Sequence, residues 1–139
     1  MTVVKYSAIY SSVILVGGTI TSSVVCGIIN SFVASRSRKF SSIEEMNGIL
    51  EKEKKRLGIE DYDISLVYNP NVKASKCNKQ AQNQYVLVFN DSGLNLGIFR
   101  HELRHVTDSG EYNPLTYIFF KEPRAVAYSL TALEKISQI

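Results

Sequence analysis

Hydrophobic and polar positions divide the chain into segments of contrasting pattern. From residue 7 to residue 33 there is no charged side chain, and Ile9, Val13, Ile14, Leu15, Val16, Ile20, Val24, Val25, Ile28, Ile29, Phe32 and Val33 supply apolar bulk. A helix needs about 20 such residues to cross a bilayer, so the length suffices. Three readings compete: a membrane-spanning anchor, a cleaved signal peptide and a buried core helix. The length and the lack of charge favour the anchor, since the run is far longer than a signal peptide's apolar region and has no polar face.

The remaining segments alternate between helical and extended periods. Residues 41–57 place Ile43, Met46, Ile49, Leu50 and Leu57 mostly on one helical face. Ser42 and Glu45 have capping-box spacing at the start, and Gly58 is placed to end the helix. Tyr62, Ile64, Leu66 and Tyr68 alternate as in a strand, and Asn69-Pro70-Asn71 reads as a turn. Residues 72–83 are polar and read as a loop or irregular hairpin. Residues 84–89, Gln-Tyr-Val-Leu-Val-Phe, form a second, well-buried strand. Leu94, Ile98, Phe99, Leu103 and Val106 then outline a helix capped by Ser92 or Asn95 and ended by Asp108-Ser109-Gly110. An apolar run at 115–120 suggests a short helix after Pro114. A final helix follows from Glu122, with Pro123 in its first turn and Ala125, Ala127, Tyr128, Leu130, Leu133 and Ile136 as its apolar positions.

Composition narrows the picture. With 139 residues and 45% apolar content, the chain suits one domain, or a smaller domain plus an anchor. The net charge of +3 is mild. Basic residues gather at Arg36, Arg38 and Lys39 and again at Lys52, Lys54, Lys55 and Arg56, where Glu51 and Glu53 are interspersed as on a solvated helix face. Basic and aromatic residues do not interleave, so nucleic acid is not an expected partner. Cys26 and Cys77 make no disulfide framework. The positive flank at 36–39, set against Lys5 and the α-amino group, would put the following domain on the cytoplasmic side of a single-pass membrane protein.

The chemistry concentrates in residues 99–106, Phe-Arg-His-Glu-Leu-Arg-His-Val. The chain's two histidines, His101 and His105, stand four apart with Glu102 between them. On a helix they share a face, as two imidazoles holding one zinc ion require, while Glu102 is offset by about 100° and can reach a water on the metal. That arrangement suits hydrolysis, with Glu102 as general base. A catalytic zinc needs a third protein ligand and an open position. Glu122, near the start of the last helix, competes for that place with Asp108, one turn beyond His105, and with Glu111. Asp108 also suits a partner that fixes a histidine tautomer. Cys77 is a further candidate, as a thiolate taking the water position in a latent form, against the commoner reading of a lone loop cysteine as inert. Tyr112, Tyr117, Tyr128, Arg100 and Arg104 are candidates for stabilising an oxyanion, and nothing selects among them.

At these residues the chain resembles the zincin metallopeptidases, and more narrowly the gluzincins, in particular their minimal members, the minigluzincins. The resemblance covers roughly residues 62–139. It rests on His101-Glu102-x-x-His105 and on Glu122-Pro-Arg-Ala125, which matches the downstream Glu-x-x-Ala and begins 17 residues after His105. Pro123 departs from a Glu placed well inside a helix. Glu111 has the spacing of the metzincin third ligand, but Asp108 stands where that family expects Gly. The resemblance implies zinc held by His101, His105 and Glu122, Glu102 as the catalytic residue, and a metalloendopeptidase acting on peptide or protein substrates. It also implies that residues 84–90 lie at the sheet edge and pair with an extended substrate. The expected fold is α+β: an N-terminal transmembrane helix at about 7–33 within an anchor and basic flank of residues 1–39, followed by a small zincin-like domain of residues 40–139 with a small sheet, the motif helix and a C-terminal helix. The rival expectation is a catalytically inactive binding or regulatory module on the same scaffold.

Overall fold

A computed structural model of the chain describes residues 23–108 and 121–133. They form an α+β arrangement: α1 (residues 23–36), α2 (Ile43–Leu57), β1 (Asp63–Tyr68), β2 (Lys76–Ala81), β3 (Gln84–Phe89), a 3-10 turn (Asp91–Gly93), α3 (Leu96–Thr107) and α4 (Glu122–Leu130). The expected short helix within 111–121 and the last helix beyond residue 133 lie outside the described residues.

Local chemistry sets the helix ends. Ser42, extended at φ −159°, accepts the Glu45 N–H at 3.4 Å and starts α2. The return arm of the expected capping box goes elsewhere. The Glu45 carboxylate accepts from the Ser41 N–H at 2.8 Å and from Arg38 at 2.6 Å. Gly58, at φ 69°, ends α2 in the left-handed region that a residue without Cβ enters at low cost.

The sheet has the order β1-β3-β2, with β1 parallel and β2 antiparallel to β3. β3 is the centre, which explains its apolar composition: Tyr85, Leu87, Val88 and Phe89 are all buried. Residues 72–83 contain a true strand. β2 turns back through Asn83, whose φ is 58°, with an irregularity in register between Lys79 and Ala81. The core lies between the sheet and helices α2 and α3. There Phe99 meets Phe40 edge-on at 6.4 Å and Phe89 at 6.1 Å, above fully buried Met46, Leu87 and Leu103.

The N-terminal segment requires a correction. Among the described residues no helix is long and apolar enough to cross a membrane. This overturns the transmembrane helix in the expected fold, and with it the single-pass membrane location and its cytoplasmic orientation. Residues 7–22 of the expected span lie outside the described residues. The rest of it, in α1, packs on protein along one side only: Cys26 and Val33 are buried, while Val24, Val25, Ile28 and Phe32 are exposed among the described residues. Val33 is fully buried, and a Cβ built on Gly97 of α3 would lie 2.5 Å from Val33 Cγ1, so the missing side chain permits the contact. Just beyond α1 the backbone pairs with the entry to α3. The Leu96 N–H donates to the Arg38 carbonyl at 2.8 Å, and the Phe40 N–H to the Leu94 carbonyl at 2.9 Å. The boundary drawn between residues 39 and 40 falls inside this paired stretch.

Candidate metal centre

Two helices carry the clustered donors, and two strands help wall the cavity they face. Asn95 caps α3: its Oδ1 accepts the Ile98 N–H at 2.9 Å. Phe99, Leu103 and Val106 are fully buried and fix the rotation of α3 against the core. With that rotation set, His101, Glu102 and His105 line a cavity of about 860 Å3, whose far wall includes Cys77 of β2 and Tyr85 of β3. α4 packs on α3, and its fully buried Ala125 offers little bulk at the crossing, where small residues let helix backbones approach. Glu122 opens α4, with Pro123 at the start of the helix, where a missing N–H costs nothing.

The donor atoms converge. The Nε2 atoms of His101 and His105 lie 3.1 Å apart. Glu122 Oε1 is 3.3 Å from His101 Nε2, and its Oε2 is 3.3 Å from His105 Nε2. Two imidazole lone pairs facing each other at that distance repel unless a proton or a cation lies between them. A tetrahedral zinc ion with bonds of about 2.0–2.1 Å separates its ligand atoms by about 3.3–3.4 Å, so the donor set fits zinc in both chemistry and spacing. Burial opposes ionisation of Glu122, but hydrogen bonds to the two imidazoles and their positive charge outweigh it. The carboxyl is held well below the ordinary carboxylate range and stays ionised.

Glu102 is buried beside this cluster. Its burial pushes its pKa up, the charges of His101 and His105 oppose the rise, and the negative charge of Glu122 adds to it. Cys77 is not among the clustered donors. Burial, helped by the Glu102 charge, pushes its thiol up to about 12, so it faces the cavity protonated. Asp108 also lines the cavity, but it turns to Arg124 at 3.6 Å and Arg104 at 4.0 Å rather than joining the histidines. Glu111, Tyr112 and Tyr117 lie outside the described residues.

Other expected site residues serve elsewhere. Arg100 is buried on another face of α3 and donates twice to Glu53, at 3.0 and 2.7 Å, and once to Thr131 at 3.1 Å. The Tyr128 hydroxyl donates to Glu53 at 3.2 Å and is no part of the cavity wall. The expected substrate strand changes too. β3 is hydrogen-bonded on both sides, so among the described residues the sheet edge beside the cavity belongs to β2. Sequence reasoning named Cys77 but did not place it on a strand beside the site, nor Tyr85 in the wall of the same cavity. The signal for β2 is faint: only the turn-forming Gln82-Asn83 between a polar run and an apolar one.

No family model, no curated protein and no solved structure matches this chain.

Proposed function

We propose that the protein is a zinc-dependent peptidase in which His101, His105 and Glu122 hold the metal and Glu102 moves the protons. The observation that carries this reading is the convergence of the three donor side chains within 4.8 Å of one another, with the buried Glu102 beside them in one cavity. Zinc, when bound, lowers the pKa of a water molecule and polarises a carbonyl group.

The chain's own residues supply the rest. Glu102 accepts the proton of the attacking water as the water oxygen bonds to the carbonyl carbon. It then returns that proton to the amine nitrogen as the carbon–nitrogen bond breaks. A pKa raised by burial suits both halves of this exchange, since the group must take a proton and later give it up. The ionised Glu122 offsets the metal's charge and anchors the site to α4. The outer edge of β2, unpaired among the described residues, offers N–H and C=O groups with which an extended peptide pairs.

The test measures zinc content and peptide cleavage together, on wild type, Glu122→Ala and Glu102→Gln. One zinc per chain and metal-dependent cleavage are expected for wild type, with weakened zinc in the first variant and retained zinc without cleavage in the second. Zinc bound equally well by Glu122→Ala would remove Glu122 from the ligand set. Wild-type cleavage by Glu102→Gln would sink the mechanism.

A further inference from the structure

The two basic runs in the sequence play no part in the proposed chemistry, yet the fold brings them to one place. A second cavity, of about 700 Å3, lies on the side of α3 opposite the histidines and shares no lining residue with the metal cavity. Arg36 and Arg38 come to it from the end of α1, Lys52, Lys55 and Arg56 from α2, and Arg100 from α3. On α3, Leu96 and Arg100 face it, on average about 140° round from His101 and His105.

The charges around this cavity do not balance. Its one lining carboxylate among the described residues, Glu53, is already taken by the buried Arg100 at 2.7 Å. Arg38 is held by Glu45 at 2.6 Å. Arg36, Lys52, Lys55 and Arg56 have no carboxylate partner among the described residues. Arg36 lies over the Phe32 ring and Arg56 over the Tyr128 ring, each at 5.6 Å. Those aromatic faces orient the guanidinium groups without neutralising them. Four exposed cations without a carboxylate partner among the described residues thus surround one concavity, and their summed positive potential favours an anion there.

We infer that this cavity binds a small oligophosphate. Its volume falls in the range of about 300–1,000 Å3 usual for small-ligand sites. The guanidinium fork matches phosphate oxygens in geometry, and lysine adds point charge. Four free cations suit a chain of phosphates better than a single one. Among the described residues no aromatic side chain lines the cavity, so they offer a nucleobase no stacking surface, and recognition falls on the phosphates themselves.

Calorimetry on the full chain with inorganic triphosphate tests this, with EDTA present to exclude metal-bridged binding. Saturable one-to-one binding is expected, weaker for pyrophosphate, weakest for orthophosphate and declining with added salt. Lys52→Glu/Lys55→Glu should weaken triphosphate by about tenfold or more, the scale of a lost charge-assisted hydrogen bond. The charge-matched control Lys76→Glu/Lys79→Glu, on β2, should leave it nearly unchanged. Arg36→Gln, on a different helix, should give a smaller loss in the same direction, which keeps the test valid should the double variant misfold by circular dichroism. No saturable binding would overturn the inference. So would equal losses in the two double variants, no loss in Arg36→Gln, or binding confined to vesicles of an anionic phospholipid.

Discussion

The two sides of α3 bury ionisable groups in opposite ways. On one side Arg100 and Glu53 form a closed set. The guanidinium donates twice to the carboxylate and once to Thr131, and Tyr128 adds its hydroxyl, so α2, α3 and the end of α4 are joined by satisfied hydrogen bonds. On the other side the set is open. Two imidazole nitrogens and a carboxylate point at one another, and the buried His101 Nδ1 has no hydrogen-bond partner among the described residues. Both sides incur the cost of taking charge out of water. The closed set recovers that cost within the protein and serves the fold. The open set has bonding capacity left over, as the proposed metal site requires.

The strongest way to break this contrast is Glu102→Gln. In the zinc-loaded protein it should lower peptide cleavage by about 10²–10⁴-fold, the usual contribution of a general base, with zinc content unchanged by elemental analysis. A loss of zinc together with activity would show Glu102 to be part of the metal's hold. On the closed side, Glu53→Ala leaves Arg100 buried without its counter-ion and should cost about 3–5 kcal/mol in denaturant unfolding. A cost below about 1 kcal/mol would mean the network is not closed in solution.

The same Glu102→Gln change sharpens the contrast in metal-free protein, where it should raise stability, by an amount on the order of 1 kcal/mol at neutral pH. The sign follows from linkage. The folded protein holds the Glu102 proton more tightly than the unfolded chain, so wild-type stability falls as pH rises from the ordinary glutamate value through the raised folded one. The gain from Gln is therefore full above the folded pKa and disappears below about pH 4.3. Thermal melts in EDTA across that window check it, and a gain that persists in acid would refute the burial argument. The smallest effect belongs to Cys77→Ala. A thiol that titrates at about 12 is neutral at pH 7, so zinc affinity and cleavage should stay within about twofold of wild type.

Much of the motif helix was readable from sequence because its signals are local. The four-residue histidine spacing, the apolar stripe through Phe99, Leu103 and Val106 and the Asn95 cap all lie within a dozen positions. Gly58 and the β1 alternation were legible for the same reason. β2 was not, because Lys-Cys-Asn-Lys-Gln-Ala has no apolar rhythm; it becomes a strand through pairing with β3. The Arg100–Glu53 pair joins residues 47 apart in sequence, and no local pattern announces such a contact. In α1 the apolar positions surround the helix, so nothing in the run says which of them Gly97 will receive. An uncharged run of that length reads as a bilayer span until the glycine on another helix is known.

The pairing of residues 37–40 with the entry to α3 decides how the chain can be dissected. Ser37 Oγ donates to Asn95 Oδ1 at 3.0 Å and accepts the Gly97 N–H at 3.1 Å, so the serine braces the cap of the helix that carries both histidines. A fragment beginning at residue 40 would strip that brace, strand a buried N–H and open a hollow where Val33 sat. Recombinant fragments intended for metal analysis are better begun ahead of α1, because the histidine helix is held in place by Ser37, which stands 58 and 60 positions before its partners in the cap and first turn.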